Sequence, residues 1–326
     1  MNLQPTKPRA TDGEPAPVAR DRHLAVDPSF SLATTCGPVA WARGRWPNVD
    51  WIDGALVWVG WEADRVVDRI VRQDHGRSAS LEIAGSGSPE LDVTWARATL
   101  GLDQTPPVVV DAAVQAARRQ FPGLRPWANG SLFEGFVGSI VGQSISVAAA
   151  AVTETRLAAL FHDGVDIFER RFRPLPRPDH LASAEASLVR RSGVTWRRAE
   201  ALVFGAQAFL DGHLPSDDEA RADPDAARVA LRALPLVGPW TAESALLWGL
   251  GDGDAFPPGD AALLRAARLA YDRPELDHAA LNALAATWSP HRGWAARWLW
   301  TALLGPAPAP SDTSHGITST PPAPFD

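Results

Sequence analysis

The sequence is poor in lysine and cysteine, and each shortage limits the chemistry of the chain. Lys7 is the only lysine and Cys36 the only cysteine. A single cysteine excludes an intramolecular disulfide, a zinc site built from several cysteines and an iron–sulfur cluster. It also fits a reducing compartment, so we expect a cytoplasmic protein.

Long apolar runs and positive charge are also lacking. No segment approaches the roughly 20 apolar residues that span a bilayer, and the N-terminus has no apolar secretory core. We therefore expect no membrane association. The formal net charge of −7 disfavours a protein that grips nucleic acid through a broad basic face. Local patches and backbone amides can nevertheless bind phosphate.

The ordered part of the chain changes character once. Segments 1–25 and 305–326 are rich in Pro, Thr, Ser and Asp and are predicted to be disordered tails. Residues 26–110 carry short apolar runs that predict strands, namely ALVWVGWEA, SLEIAG and ELDVTWA, with turns at Asp53-Gly54 and 85–87. Residues 111–304 have helical periodicity. The predicted fold class is α+β, with a small N-terminal α/β domain followed by an all-helical body.

One segment of the helical body, 231–268, carries the most information. Its pattern predicts a helix, a tight turn containing Pro235, a second helix opening at Thr241, and a third helix behind Asp260. A helix that starts from a tight turn presents free N–H groups to an anion such as phosphate. An ordinary helical hairpin fits the same pattern, and Asp260 alone would be interpreted as a helix N-cap.

Four segments in order resemble the helix–hairpin–helix DNA glycosylases, and among them the 3-methyladenine DNA glycosylase II branch. LPLVGPWTA followed by FPPGD resembles the hairpin near 228–250 and the catalytic aspartate. LFEGFVGSIVGQSISVAAA resembles the segment that carries a Gly-Gln pair before the residue wedged into the duplex. The run ending LDVTW is similar to the family's small α/β domain, which is TBP-like, and WSPHRGWAARWLW to its terminal helix.

The resemblance implies a monofunctional glycosylase of base excision repair that flips and removes alkylated or related damaged bases. Asp260 would be the catalytic residue, stabilising the positive charge that develops on the deoxyribose. Trp240 occupies the position of the nucleophilic lysine of bifunctional relatives, so lyase activity is not expected. The implied partner is double-stranded DNA containing a damaged base, bound by a nucleoid-associated monomer. No cofactor is implied, although related hairpins can hold a monovalent cation on backbone carbonyls.

The resemblance also assigns binding residues. Those expected to contact DNA are Gln143, Ser144, Leu236, Val237, Gly238, Trp240 and Thr241. Those expected to line the substrate pocket are Trp127, Trp240, Ser244, His291 and Trp294. Trp294 also fits a set of helix-spaced core residues with Trp248, Trp298 and Trp300, and the spacing favours that interpretation.

Four positions depart from the family pattern. Leu236 replaces the first hairpin glycine, where a positive φ would cost leucine roughly 1–2 kcal/mol and reshape the turn. Ser144 replaces a larger wedge residue, Ser244 a pocket tyrosine and His291 a pocket tryptophan. These departures leave open a non-catalytic DNA-binding protein on the same scaffold. The acidic net charge leaves open a helical protein with no DNA role.

Two arginine clusters have both a structural and a functional interpretation. Arg170-Arg171-Arg173 is predicted to be a solvated helix face. Arg190-Arg191 with Arg197-Arg198 fits the same interpretation, but it also resembles a stretch that the family places just before the hairpin. A phosphate contact there is the alternative.

Overall fold

The computed structural model describes residues 22–74 and 79–309. Most of the two predicted tails therefore lies outside the described residues. Both predicted tails extend too far into the chain, because the structure has ordered residues where each tail was predicted to meet the folded part. Strand β1 starts at Arg22, inside the predicted N-terminal tail. At the other end, Ala307 is buried and donates its N–H to the Ala33 carbonyl at 2.9 Å.

A five-stranded antiparallel sheet forms the N-terminal part, in the order β1-β5-β4-β3-β2. The strands are β1 Arg22–Ala25, β2 Val49–Ile52, β3 Ala55–Glu62, β4 Arg65–Asp74 and β5 Ser80–Gly85. Asp53 and Gly54 both have positive φ and close the β2–β3 hairpin, as their pairing in the sequence predicts. The helices of this part are α1 Leu32–Thr35, α2 Gly37–Trp41 and α3 Pro89–Thr99.

Helix α3 corrects one sequence prediction, because ELDVTWA is helical and not a strand. Pro89 occupies the first helical turn, which it favours, and Glu90 and Asp92 face the positive end of the helix dipole. Asp92 is fully buried and accepts a 2.7 Å bond from Nε of Arg69. This buried ion pair joins α3 to β4, and the alternation of apolar residues does not reveal it.

The helical body contains twelve helices within the described residues. They are α4 Ala112–Gln120, α5 Leu132–Gly142, α6 Val147–Ala158, α7 Pro178–Ala182, α8 Ala186–Arg190, α9 Trp196–Leu210, α10 Asp217–Ala222, α11 Pro224–Arg232, α12 Pro239–Leu250, α13 Ala261–Ala270, α14 His278–Ala286 and α15 Arg292–Leu304. The body is not all-helical, because β6 Val165–Ile167 and β7 Arg170–Phe172 form a hairpin.

This hairpin explains why β3 is apolar on both faces. Phe172 packs with Val57 and Val59 on one face of the sheet. The opposite face, which carries Leu56 and Trp58, packs with the core that includes helices α1 to α3. The predicted helix face at Arg170 is therefore wrong: Arg170 lies on β7, pairs with Asp50, and its guanidinium stacks on Phe172.

The crossing of α5 and α12 sets the geometry of the helical body. Gly135 of α5 and Gly249 of α12 face each other, and a Cβ on Gly135 would lie 2.7 Å from the Gly249 Cα. Two helices that meet at glycines can approach closely. The crossing fixes α12, which begins at the predicted hairpin, against α5, which ends at the predicted DNA-contact loop.

No single helix among the described residues is both long and apolar enough to cross a bilayer. Only α5 and α6 taken together pass that test, and they are bent by 118°.

Burial of Glu154 on α6 makes the stability of the fold dependent on pH. The Glu154 side chain lies in the interior, and desolvation raises the pKa of its carboxyl group to about 8. The unfolded chain ionises near the ordinary glutamate value while the folded chain stays protonated, so stability falls as the pH rises towards 8. We expect Glu154→Gln to remove a loss on the order of 4 kcal/mol between about pH 5 and pH 8.

Thermal melting at several pH values measures this effect. Glu200→Gln, at an exposed position of α9, serves as the control and should leave the slope of the wild type unchanged. A Glu154→Gln protein with the wild-type pH slope would contradict the assignment.

Candidate active site and DNA-contact surface

Asp260 occupies the N-cap of α13 and is half-buried. Its Oδ1 accepts the N–H of Leu263 at 2.8 Å, and its Oδ2 accepts the Trp240 indole N–H at 3.3 Å. The two donors fix the orientation of the carboxylate. The N-cap role and the proposed chemical role are therefore compatible in one residue. A carboxylate held in this way is suited to stabilise a nearby cation.

Trp240 connects the hairpin to Asp260. It is the second residue of α12, after Pro239, so this helix opens two residues earlier than the sequence predicted. Its indole is half-buried and lies against the carboxylate. The position that resembles that of a nucleophilic lysine therefore holds an aromatic donor in direct contact with Asp260.

The hairpin turn keeps a left-handed residue in spite of the lost glycine. Leu236 has φ +62°, so leucine adopts the left-handed conformation that favours glycine. Val237 is buried, and Gly238 is the N-cap of α12 without any side-chain cap. The N–H groups of the first turn of α12 are thus available to an anion.

Gln143 ties the loop between α5 and α6 to the hairpin. Its side-chain Nε2 donates to the Leu236 carbonyl at 2.9 Å and to Oγ1 of Thr241 at 3.0 Å. The adjacent Ser144 is exposed and has φ +57°, which places it at the tip of the loop. Gln143 therefore positions the surface, and its amide is occupied by protein groups.

We expect Gln143→Ala to lower DNA affinity by up to about 30-fold, because two hydrogen bonds worth roughly 1 kcal/mol each are lost between loop and hairpin. Binding to a duplex with an abasic-site analogue measures the change. Gln207→Ala, which removes an exposed amide at the far end of α9 that donates to Asp211, is the matched control. Equal affinities for the two variants would argue against a positioning role for Gln143.

The sequence does not reveal a group of ion pairs that connects α11 and α12 to the segment before Asp260. Arg228 of α11 donates to Glu243 of α12 at 2.9 Å and to Asp252 at 3.2 Å. The other oxygen of Glu243 accepts the N–H of Phe256 at 3.1 Å. The signal in the sequence is weak, since the three side chains lie far apart along the chain and join only after the hairpin folds.

The predicted pocket residues are only partly brought together. Ser244 lies one turn after Trp240 on α12 and is 2% exposed, with no hydrogen-bond partner for its Oγ among the described residues. His291 is half-buried at the N-cap of α15. Trp127 and Trp294 are each 3% exposed. Trp127 donates to Asn129 at 3.1 Å in the interior, and Trp294 packs on Trp298 with ring centroids 5.4 Å apart. The core interpretation therefore fits Trp294 better than a pocket role.

His291 lies beside the loop that leads to Asp260. Asp254 accepts the Arg292 N–H at 2.9 Å and forms an ion pair with the Arg292 guanidinium at 2.7 Å. Trp294 donates its N–H to the Gly253 carbonyl at 3.2 Å. The start of α15 is thereby fixed against residues 252–255, which precede the FPPGD segment.

The second arginine cluster lies next to the Gln143 loop. Arg198 of α9 donates to the Gln143 carbonyl at 2.5 Å. Arg190, Arg191 and Arg197 are exposed. The cluster therefore continues the surface formed by the loop and the hairpin.

A hairpin between two helices, with a carboxylate on the next helix and a sheet domain before it, defines the scaffold of a helix–hairpin–helix DNA glycosylase. The chain belongs to the DNA-3-methyladenine glycosylase 2 family. It is 32% identical over 197 residues to the Escherichia coli (strain K12) protein of that name, covering 60% of this chain and 67% of the relative. No protein-family model matches the chain.

Other relatives and solved structures agree on the scaffold. A Mycobacterium tuberculosis protein named "Probable bifunctional transcriptional activator/DNA repair enzyme AlkA" is 34% identical over 221 residues, covering 64% of this chain and 42% of that protein. The 3-methyladenine DNA glycosylase from Archaeoglobus fulgidus has a TM-score of 0.66 at 20% identity, over 87% of this chain and 98% of its own. MBOgg1, solved with a low-affinity DNA ligand, has a TM-score of 0.69 at 18% identity, over 89% and 96%. At these identities the structures support the fold.

Proposed function

We propose that the protein is a monofunctional DNA glycosylase of base excision repair, which removes alkylated or related damaged bases from double-stranded DNA. The observation that carries the proposal is the placement of Asp260 directly behind the hairpin, with both carboxylate oxygens held by donors. The 3-methyladenine glycosylase named among the relatives supports the substrate class. It gives no support to a non-catalytic protein on the same scaffold.

The reaction breaks the bond between C1′ of the deoxyribose and the base nitrogen. The electron pair of that bond leaves with the base, and an alkylated purine, cationic while attached, departs as a neutral molecule. Positive charge develops on the sugar and is stabilised by the Asp260 carboxylate. Water adds to C1′ and its proton passes to solvent, which leaves an abasic site. Water is the only co-reactant.

The damaged base must leave the stack before Asp260 can approach C1′. We place the hairpin and the uncapped start of α12 on the phosphates beside the lesion. Ser144 offers no apolar group to fill the gap left by the base. Ile145, the next residue, is 40% exposed and supplies an apolar side chain at the same loop. We therefore assign the gap-filling contact to Ile145.

The pocket is assigned to Trp240, Ser244 and His291. It lacks the aromatic surfaces that the family pattern places at the last two positions. His291 offers an imidazole instead, and the hydroxyl of Ser244 is buried. Fewer stacking surfaces and a hydrogen-bonding imidazole favour a bulkier or neutral damaged base over a small cationic one.

Release of free base from duplexes that each carry one methylated, deaminated or bulky adduct tests the function. We expect release from at least one alkylated purine. Tight binding to the duplexes with no release from any of them would favour the non-catalytic alternative.

The absence of lyase activity is proposed from Trp240. A lyase step needs an amine that forms a Schiff base with C1′. Lys7, the only lysine of the chain, lies outside the described residues, and Trp240 fills the position beside Asp260. We expect strand cleavage only after alkali treatment and no covalent product with borohydride. Cleavage without alkali would overturn this part of the proposal.

The architecture of the N-terminal domain, the location of the protein and its oligomeric state are also proposed. The strand order β1-β5-β4-β3-β2, with helices after β1 and β5, supports a TBP-like domain that ends near residue 110. We further propose that the protein acts as a cytoplasmic monomer at the nucleoid.

A further inference from the structure

An exposed cluster of arginines surrounds a tryptophan beside the Gln143 loop. Arg190, Arg191 and Arg197 are exposed around the start of α9, and so is Arg156 of α6. Arg156 reaches the turn between α8 and α9. Its Nη1 lies 3.5 Å from the point where a Cβ would be if Gly193 were replaced by alanine. Across residues 22–74 and 79–309, no carboxylate forms an ion pair with any of these four guanidinium groups. Unneutralised arginines are notable in a chain with a net charge of −7.

Trp196 gives this cluster an aromatic surface. The first residue of α9, it is 51% exposed although tryptophan is usually buried. The Arg190 guanidinium lies over the ring, 5.4 Å from its centroid. The stacked cation orients the ring and leaves much of the indole accessible to solvent.

We propose that Trp196 and the arginines Arg156, Arg190, Arg191 and Arg197 form a binding platform for single-stranded DNA next to the lesion site. Cationic side chains that follow a phosphate backbone, together with an aromatic face that takes an unstacked base, are the features of such platforms. Paired bases in a duplex present no free face to Trp196, so an aromatic platform favours an unpaired strand. The ligand is taken as DNA on the basis of the proposed function.

The platform is continuous with the proposed duplex-binding surface. Arg198, two residues after Trp196, donates to the Gln143 carbonyl, and Gln143 holds the hairpin. A strand that leaves the hairpin at this side therefore meets the arginines within a few nucleotides. The enzyme would then hold lesions that lie next to unpaired DNA, such as a gap or a frayed end, more tightly than lesions inside a continuous duplex.

Affinity for three probes tests the platform. The first is a blunt duplex with an abasic-site analogue. The other two are the same duplex with a single-stranded oligothymidine overhang at one end or at the other. One stacked base and the added phosphates should strengthen wild-type binding to one overhang probe about 10-fold. Trp196→Ala should remove most of this gain and leave blunt-duplex affinity unchanged. Phe204→Ala, another exposed aromatic on α9, is the matched control and should retain the gain.

The arginines are tested by salt dependence. Replacing Arg190, Arg191 and Arg197 together with Gln should lower the slope of log affinity against log salt by about 2 for the overhang probe. Equal wild-type affinity for blunt and overhang probes would overturn the proposal, as would an equal loss on both probes for Trp196→Ala. Base release from the blunt duplex is measured in parallel. Its absence would count against the proposed enzyme activity, whereas loss of the overhang effect alone would count only against the platform.

Discussion

Replacing Asp260 with asparagine is expected to slow base release by about 100- to 1,000-fold, the usual effect of removing one electrostatic group from a transition state. The amide has nearly the same shape as the carboxylate but carries no charge to oppose the sugar cation. Because asparagine is as good an N-cap as aspartate, the stability of α13 should change by only about a few tenths of a kcal/mol. Single-turnover release of free base measures the effect.

The asparagine variant separates catalysis from binding. Asp260→Asn should bind damaged duplex at least as tightly as the wild type, since no phosphate contact is assigned to this carboxylate. Asp260→Ala removes both charge and cap, and we expect it to lose about 1 kcal/mol of stability as well. Rates within a few-fold of the wild type for Asp260→Asn would show that the carboxylate is only a cap.

Gly135→Ala is expected to destabilise the protein by about 3 kcal/mol, because the crossing of α5 and α12 has no room for a methyl group. The added Cβ would overlap the Ala245 carbonyl oxygen and lie 2.8 Å from the Gly249 nitrogen. These are backbone atoms, so the helices must separate. Separation would displace both ends of the proposed active surface, the Gln143 loop and the start of α12.

Gly142→Ala, in the last turn of the same helix, is the matched control. A Cβ at Gly142 would meet nothing within 4 Å. Alanine is the better helix former, so this variant should be unchanged or more stable by about 0.5–1 kcal/mol. Denaturant unfolding compares the two variants. If Gly135→Ala proved as stable as Gly142→Ala, the close helix crossing could not be as described.

The turn before α12 and the N-cap position of Asp260 could be predicted because their signals are local. Proline and glycine mark the turn, and the spacing from Trp240 to Asp260 lies within one continuous segment. The sequence could not show that the indole of Trp240 donates to Asp260. It also could not show that Leu236 would accept a positive φ, since that depends on the packing of the turn and its bond to Gln143.

The wrong predictions of secondary structure have a common physical origin, because contacts between residues distant in sequence override the local pattern. ELDVTWA alternates like a strand, yet the buried Asp92 pairs with Arg69 across 23 residues and the segment is helical. The β6–β7 hairpin was missed because its strands have three residues each and its turn contains Phe168 and Glu169 at positive φ, with no glycine. Its place in the fold depends on Phe172 covering the sheet.

The central claim is that this chain cuts the glycosidic bond of a damaged base and leaves the DNA backbone intact. Counting free bases and strand breaks in the same single-turnover reaction, on a duplex with one alkylated purine, tests it most directly. The account predicts one free base for each enzyme-bound duplex and strand breaks only after alkali, with base release almost absent in Asp260→Asn. Strand breaks without alkali, or undiminished release by Asp260→Asn, would contradict it.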